Sequence, residues 1–326
     1  MTDSRNATAF WRADIDPARE AARILLAKGE LIDGSRDGRI VPYKLYYPAD
    51  RPGETFPVVI WSHGLGGSRD GAGFIARYLA SHGYVVCNIQ HPGTDSSLWE
   101  GKPGHPWDNI RKSHIPRSAS LDRFRDVPFL LDRLDEIGQA HPAAGAAMDK
   151  SVLGMSGHSF GAMTTEVMAG MLIPDTEGRL ISMREPRFRA GILYSPVPIA
   201  HITDADPAVL YGPIGMPLFH MTGTADDSPV EQFGYEKRLA VYQNSGRAER
   251  QLLVLEGGDH MVYNGSRGQL EDNPKRARHE EIIKIAALAY WDMHLKEDAA
   301  ARQWLTAGGF AAWLNGDGRY EYKLRD

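Results

Sequence analysis

The chain of 326 residues contains one cysteine, Cys87, so it forms no intramolecular disulfide and no thiolate metal cluster. Cys87 sits inside the apolar run "YVVCNIQ", which reads as a buried core thiol and not as a nucleophile. A large excess of charge of one sign is also missing: a formal net charge of −5 does not suggest a nucleic-acid partner. No stretch reaches the roughly 18 continuous apolar residues that a membrane helix needs, since the longest helical run, "HEEIIKIAALAYWDMHL", carries charges throughout. The first thirty residues lack a basic start followed by an apolar block, so the expectation is a cytoplasmic chain without a signal peptide, or a secreted one if such a segment has been removed. Repeats and low-complexity blocks are missing too, and no pair of histidines has the i, i+4 spacing of a zinc helix.

What is present is a succession of short apolar runs bounded by turn residues: "PVVIWSHG", "GYVVCNIQHPG", "KSVLGMSGHS", "RAGILYSP", "MPLFHMTG" and "RQLLVLEGG". Each has the length of a buried strand. Helical patterns lie between several of them, as in "GFIARYLASHG", "SASLDRFRDVPFLLDRLDEIG" and "GAMTTEVMAGML". That alternation predicts a mostly parallel sheet with helices on both faces. "DGRIVPYKLYYPAD" alternates more cleanly and reads as antiparallel edge strands, while the chain from residue 275 onward reads as two helices. Residues 91–118, rich in Gly, Pro and His, form the longest irregular segment and read as a lid or pocket wall, or as a surface excursion over helices. One domain over residues 1–326 is expected.

The motif "GHSFG", residues 157–161, follows the apolar run "SVLGM" and precedes a helical pattern. A G-x-S-x-G match is weak evidence alone, but a strand-to-helix turn is where the chemistry requires it. There Ser159 would stand at the carboxyl end of a parallel strand with a helix N-terminus behind it, a position suited to acyl transfer. A serine hydroxyl needs a histidine base and a carboxylate to orient that base, in the order Ser, Asp or Glu, His. The strand "MPLFHMTG" is followed by Asp226 and Asp227, of which Asp226 is preferred as the acid, and "QLLVLEGGDH" ends in His260. The oxyanion donors expected are the backbone N–H of Phe160 and that of Leu65 in "SHGLGG", where Gly64 and its neighbours allow close approach. Trp99 and Trp107, with Phe160 and Met163, are candidates to line an apolar pocket, against the plainer reading that they pack the core. His63 and His158 read as structural hydrogen-bonding residues.

Taken together, "SHGLGGSRD", "LASHGYVVCNIQHPG", "GHSFGA", "GTADD" and "GGDHMV" resemble the α/β-hydrolase superfamily from about residue 38 to 320. The first three elements are most similar to bacterial enzymes labelled as dienelactone hydrolases and to the platelet-activating-factor acetylhydrolases. The resemblance implies an α/β-hydrolase fold of about eight strands. Dienelactone hydrolases carry cysteine in the elbow where this chain has Ser159, so their substrate is not carried over. In the acetylhydrolases the acid tends to follow the sixth strand, where "AGILYSPVP" offers Ser195 and no carboxylate.

The expected function is a serine carboxylic-ester hydrolase acting through an acyl-enzyme on a small-molecule ester with a short to medium acyl or an aryl group. It would need no cofactor and no metal. Alternatives are a phospholipid acetylhydrolase or polyesterase with the same triad, or a non-catalytic binding scaffold; amide hydrolysis ranks below these. No motif states the oligomeric state.

Overall fold

A computed structural model describes residues 10–49, 51–199, 203–265 and 272–325. The chain opens with a hairpin, β1 (Ile24–Asp33) and β2 (Arg39–Pro48), paired antiparallel from Ile24↔Pro48 to Asp33↔Arg39. The parallel part follows: β3 (Phe56–Ser62), α1 (Gly73–Ser81) and β4 (Val85–Ile89). Four helices come next, α2 (Pro106–Lys112), α3 (Arg117–Leu131), α4 (Leu134–Ala140) and α5 (Pro142–Ala147). They lead into β5 (Met148–His158) and α6 (Phe160–Ala169). A small hairpin, β6 (Leu172–Pro174) and β7 (Leu180–Ser182), precedes β8 (Phe188–Tyr194), α7 (Pro207–Tyr211), β9 (Leu218–Ala225), α8 (Tyr235–Asn244) and β10 (Arg250–Asp259). The C-terminal part comprises α9 (Arg276–Leu295), α10 (Ala299–Thr306), α11 (Gly309–Leu314) and β11 (Gly318–Lys323).

The main sheet runs β1-β2-β4-β3-β5-β8-β9-β10-β11. Its six central strands are the six apolar runs of the sequence, all mutually parallel, and both edges are antiparallel. Side chains alternate along each strand, so Val58 and Ile60 of β3 enter one core while Val59 and Trp61 enter the other. The first core lies under α3 and α6; the second lies under α1, α9, α10 and α11. Near-continuous apolar strands follow directly from burial on both faces. Cys87 of β4 is fully buried in the first core, and burial pushes its thiol up to about 12.

Two expectations are corrected. The chain from residue 275 onward forms three helices where two were expected, after which β11 returns antiparallel to β10 and brings the main sheet to nine described strands, against about eight expected. β11 is the short edge segment "GRYEYK", held by Tyr320 against Phe219 and Phe310. Residues 91–118 are not wholly irregular: a 3₁₀ turn spans Ser96–Leu98 and α2 starts on Pro106 at its first turn, capped by the His105 ring.

Candidate active site

The turn between β5 and α6 is strained. Ser159 has φ 56° and ψ −117°, a conformation L residues rarely adopt and one costing on the order of 1–3 kcal/mol. Both motif glycines are sterically required: a Cβ on Gly161 would collide with the Ser62 carbonyl, and one on Gly157 with the backbone of Gly161. The Ser159 N–H is tied to the Tyr194 carbonyl at 2.9 Å, fixing the serine between two strand ends.

His260 follows β10, whose pairing with β9 shifts register between Leu255 and Asp259. Such an irregularity re-aims the chain, and Gly223 and Gly258 let the two strand ends press together without side chains between them. Asp226 leaves β9 in a tight turn, its N–H donating to the Gly223 carbonyl at 3.0 Å. The outcome is a buried pair: His260 Nδ1 lies 2.8 Å from Asp226 Oδ1. With Nδ1 committed to Asp226, Nε2 is the ring nitrogen left for chemistry. Asp227 is exposed, and among the described residues its carboxylate makes no bond to His260.

Asp226 is held on all sides. Thr222 Oγ1 donates to Oδ2 at 2.8 Å, Ser195 Oγ donates to Oδ1 at 2.9 Å, and Arg238 Nε lies 3.1 Å from Oδ1. Burial alone would raise this carboxyl, but the Arg238 guanidinium and the His260 hydrogen bond bring it down to about 2. Burial pushes His260 below its ordinary value; Asp226 opposes the fall and Arg238 adds to it. Arg238 is fully buried, donates to the Asp226 and Pro196 carbonyls, and places Nη2 3.2 Å from His260 Nδ1.

Sequence reasoning did not assign roles to Ser195 and Arg238. Ser195 follows β8 directly with φ 57° and puts Oγ 2.8 Å from His260 Nδ1, so the position after the strand where the acetylhydrolases tend to carry the acid holds a hydroxyl that bridges Asp226 and His260. Its position at the strand end was the available signal. Arg238 lies in α8 with no motif to mark it.

The two histidines beside the motifs are structural hydrogen-bonding groups, as expected. His158 Nε2–H donates to the His260 carbonyl at 2.8 Å and holds the histidine loop. His63 Nδ1–H donates to the Gly64 carbonyl at 2.7 Å while Nε2 accepts from the His91 N–H at 3.1 Å, which fixes its tautomer and pins the glycine-rich loop. That loop is braced from beneath by fully buried Arg123, which donates to the His63 carbonyl, to Ser62 Oγ at 2.8 Å, to Thr94 Oγ1 at 3.0 Å and to Thr164 Oγ1 of α6 at 2.8 Å. Ser62 passes the chain on to His91, and His91 Nδ1–H to Asp126 at 3.0 Å. Arg123 also lies 4.5 Å over the Phe160 ring, so one cation supports both loops that carry the expected oxyanion donors.

The Phe160 N–H, at the first helical position, has no intrahelical acceptor. Among the described backbone hydrogen bonds, the Gly66 N–H donates to the Thr94 carbonyl and the Gly67 N–H to the Gly64 carbonyl, and none uses the Leu65 N–H. Gly64 lies against the elbow, where a Cβ would sit 3.3 Å from that of Ser159.

Two clefts meet at Ser159. One, about 420 Å³, is lined by Leu65, Trp99, Trp107, Ile110, Met261 and His260; the other, about 470 Å³, by Phe160, Met163, Phe124, Ile173, Val197 and Ile199. Trp99 and Trp107 therefore belong to a wall and Phe160 and Met163 to its counterpart. The segment 91–118 supplies the tryptophan wall through α2. No group of described His, Cys, Asp or Glu residues is arranged to hold a metal ion, and no helix among the described residues is long and apolar enough to cross a membrane.

Residues 45–100 match the family model described as platelet-activating factor acetylhydrolase, isoform II. A platelet-activating factor acetylhydrolase of Canis lupus familiaris is 25% identical over 246 residues, covering 65% of this chain and 49% of its own length. The acetylhydrolase of Cavia porcellus is 26% identical over 302 residues, covering 81% of this chain and 63% of that protein. The chain has the α/β-hydrolase fold. Its strand order and its elbow after the fifth strand of the main sheet in sequence order show this. The chain spans about half to two thirds of the length of the curated relatives it matches.

Proposed function

We propose that the chain is a serine carboxylic-ester hydrolase with Ser159 as nucleophile, His260 as base and Asp226 as the acid that orients it. The observation that carries this reading is the strained Ser159 sharing one cleft with His260, whose far nitrogen is bonded to buried Asp226. A scaffold that only binds would have no use for a serine held at φ 56°.

In the reaction, Ser159 Oγ bonds to the ester carbonyl carbon as His260 Nε2 takes its proton. Negative charge on the carbonyl oxygen is met by the Leu65 and Phe160 N–H groups and by the N-terminus of α6. His260 then gives its proton to the departing alkoxide oxygen, the C–O bond breaks, and the acyl group remains on Ser159. Water then attacks the acyl carbon as the same nitrogen takes its proton; the bond to Ser159 Oγ breaks, His260 returns the proton to that oxygen, and the carboxylic acid leaves. Asp226 stays ionised throughout and holds the Nδ1–H tautomer.

The preferred substrates are uncharged esters with short to medium acyl or aryl groups. The relatives' names favour a second reading, an acetyl ester of a phospholipid. A fluorophosphonate probe is expected to label Ser159 in the folded protein, and Ser159→Ala to lower turnover of p-nitrophenyl esters by about four orders of magnitude with the fold intact. Near-normal turnover in that variant would refute the reading. Anilides run beside the esters separate amidase from esterase.

A further inference from the structure

Resting on the esterase reading, we infer that the cleft between α2 and the glycine-rich loop receives the leaving alcohol and that this alcohol is an uncharged aryl or bulky apolar group. The tetrahedral carbon carries four substituents: Ser159 Oγ, the oxyanion, the leaving oxygen and the acyl carbon. The oxyanion is fixed by the two N–H groups. The leaving oxygen must receive its proton from His260, so the alcohol extends along the side of Ser159 that His260 occupies. His260 lines the cleft of about 420 Å³, whereas the cleft of about 470 Å³ is walled on the Phe160 and Met163 side. The acyl group is left with the latter.

The alcohol cleft is built for apolar area. Leu65 and Trp99 pack on a cluster of Trp107, Ile110 and Met261. The wall is preformed: Trp99 Nε1–H donates to the Gly66 carbonyl at 2.7 Å, and a Cβ on Gly66 would sit 2.6 Å from Ile110 Cδ1. The polar groups among its described lining residues are neutral, namely Ser68, Ser96 and Asn264 beside the site histidines, and burial keeps His158 and His260 on the neutral side. A flat aromatic alcohol gains apolar contact from the two tryptophans that line it. A phosphate would enter without a cation from any described lining residue to meet it.

The test compares acetate esters of alcohols with similar acidity, phenol and 2-naphthol, so that their ratio reports space and not leaving-group chemistry. In the native protein kcat/KM for 2-naphthyl acetate should exceed that for phenyl acetate by about tenfold. Trp107→Ala should bring the ratio to within about twofold of one, with Ile110→Ala giving a smaller loss in the same direction should the first variant fold poorly. The ratio of 2-naphthyl butyrate to 2-naphthyl acetate should stay within about twofold of the native value in both. A change in that acyl ratio in place of the alcohol ratio would mean the clefts are assigned the wrong way round. Preference for a soluble acetyl ester of a glycerophosphocholine over 2-naphthyl acetate would overturn the inference and leave the esterase reading standing. No turnover of any ester together with no fluorophosphonate labelling of Ser159 would remove both.

Discussion

At the scale of single residues, the unusual feature is the crowd around His260 Nδ1: one carboxylate, one hydroxyl and one guanidinium, with Asp226, Ser195 and Arg238 at 2.8, 2.8 and 3.2 Å. Asp226 favours a proton on Nδ1, which leaves Nε2 free to accept one from Ser159. Arg238 repels the imidazolium. The groups acting on His260 are thus Asp226 and Asp259, which raise it, and Arg238, which lowers it beyond the effect of burial. His260 must be neutral to act as base, so the acid limb of kcat/KM should fall below the ordinary histidine value of about 6.5. Removing the charge in Arg238→Gln should move that limb upward, and Arg238→Lys should hold it closer to native. A pH–rate profile measured with a neutral ester checks both; a limb that stays in place in Arg238→Gln would show that the guanidinium only packs.

At the scale of elements, the elbow shows how a local motif depends on distant backbone. Gly161 is needed because α6 starts against the end of β3, where Ser62 presents its carbonyl. Gly161→Ala is therefore expected to destabilise the protein by about 3 kcal/mol or more, read from the urea midpoint, even though alanine is the better helix former. A midpoint unchanged from native would mean that β3 and α6 are not pressed together in this way. The six central strands were legible because burial on both faces makes each an unbroken apolar run. β1 was not: its "ILLAKGELID" leaves Leu25, Leu26 and Ile32 exposed and mixes Lys28 and Glu30 among them, as an edge hairpin does. β11 was missed for a related reason, since "GRYEYK" becomes a strand only by pairing with β10 more than sixty residues earlier in the chain.

For the molecule as a whole, histidine burial sets the response to acid. Among the described residues His63, His82, His91, His158, His220, His260 and His279 are all lowered from 6.5, in each case first by burial. His82 and His91 fall to about 4 and His158 and His220 to about 3. The folded state therefore binds fewer protons than the unfolded chain below pH 6.5. Stability is full above that pH and is lost progressively as pH falls toward the folded values. Each histidine that titrates only on unfolding contributes a slope of about 1.4 kcal/mol per pH unit. Glu166, raised well above 4.5 by burial, keeps its proton in the fold where the unfolded chain has lost it, so between its ordinary and its raised value it adds stability as pH falls and offsets part of this slope. Low-lying Asp70 and Asp226, at about 2, add their loss only below the usual carboxylate range. Urea unfolding between pH 7 and 5 should show stability dropping well before the carboxylates titrate. A flat profile across that window would mean that these histidines remain accessible to protons.

The sequence by itself determined the order of strands and helices through the core, the elbow at Ser159, the position of His260 and the glycine-rich loop at Gly64 and Leu65. These are local signals, because a strand-to-helix turn demands small residues beside the serine and a buried strand demands apolar ones. It narrowed the acid to Asp226 or Asp227 and stopped at a preference. In the tertiary structure only Asp226 folds inward from its turn to reach His260, while Asp227 stays exposed. Tertiary structure also brought Ser195, Arg238 and Arg123 to the site from three separate elements, and it divided the space around Ser159 into a tryptophan wall and a methionine and phenylalanine wall. None of these is written in a local pattern, because a charge buried by packing looks the same in a sequence as one left in water.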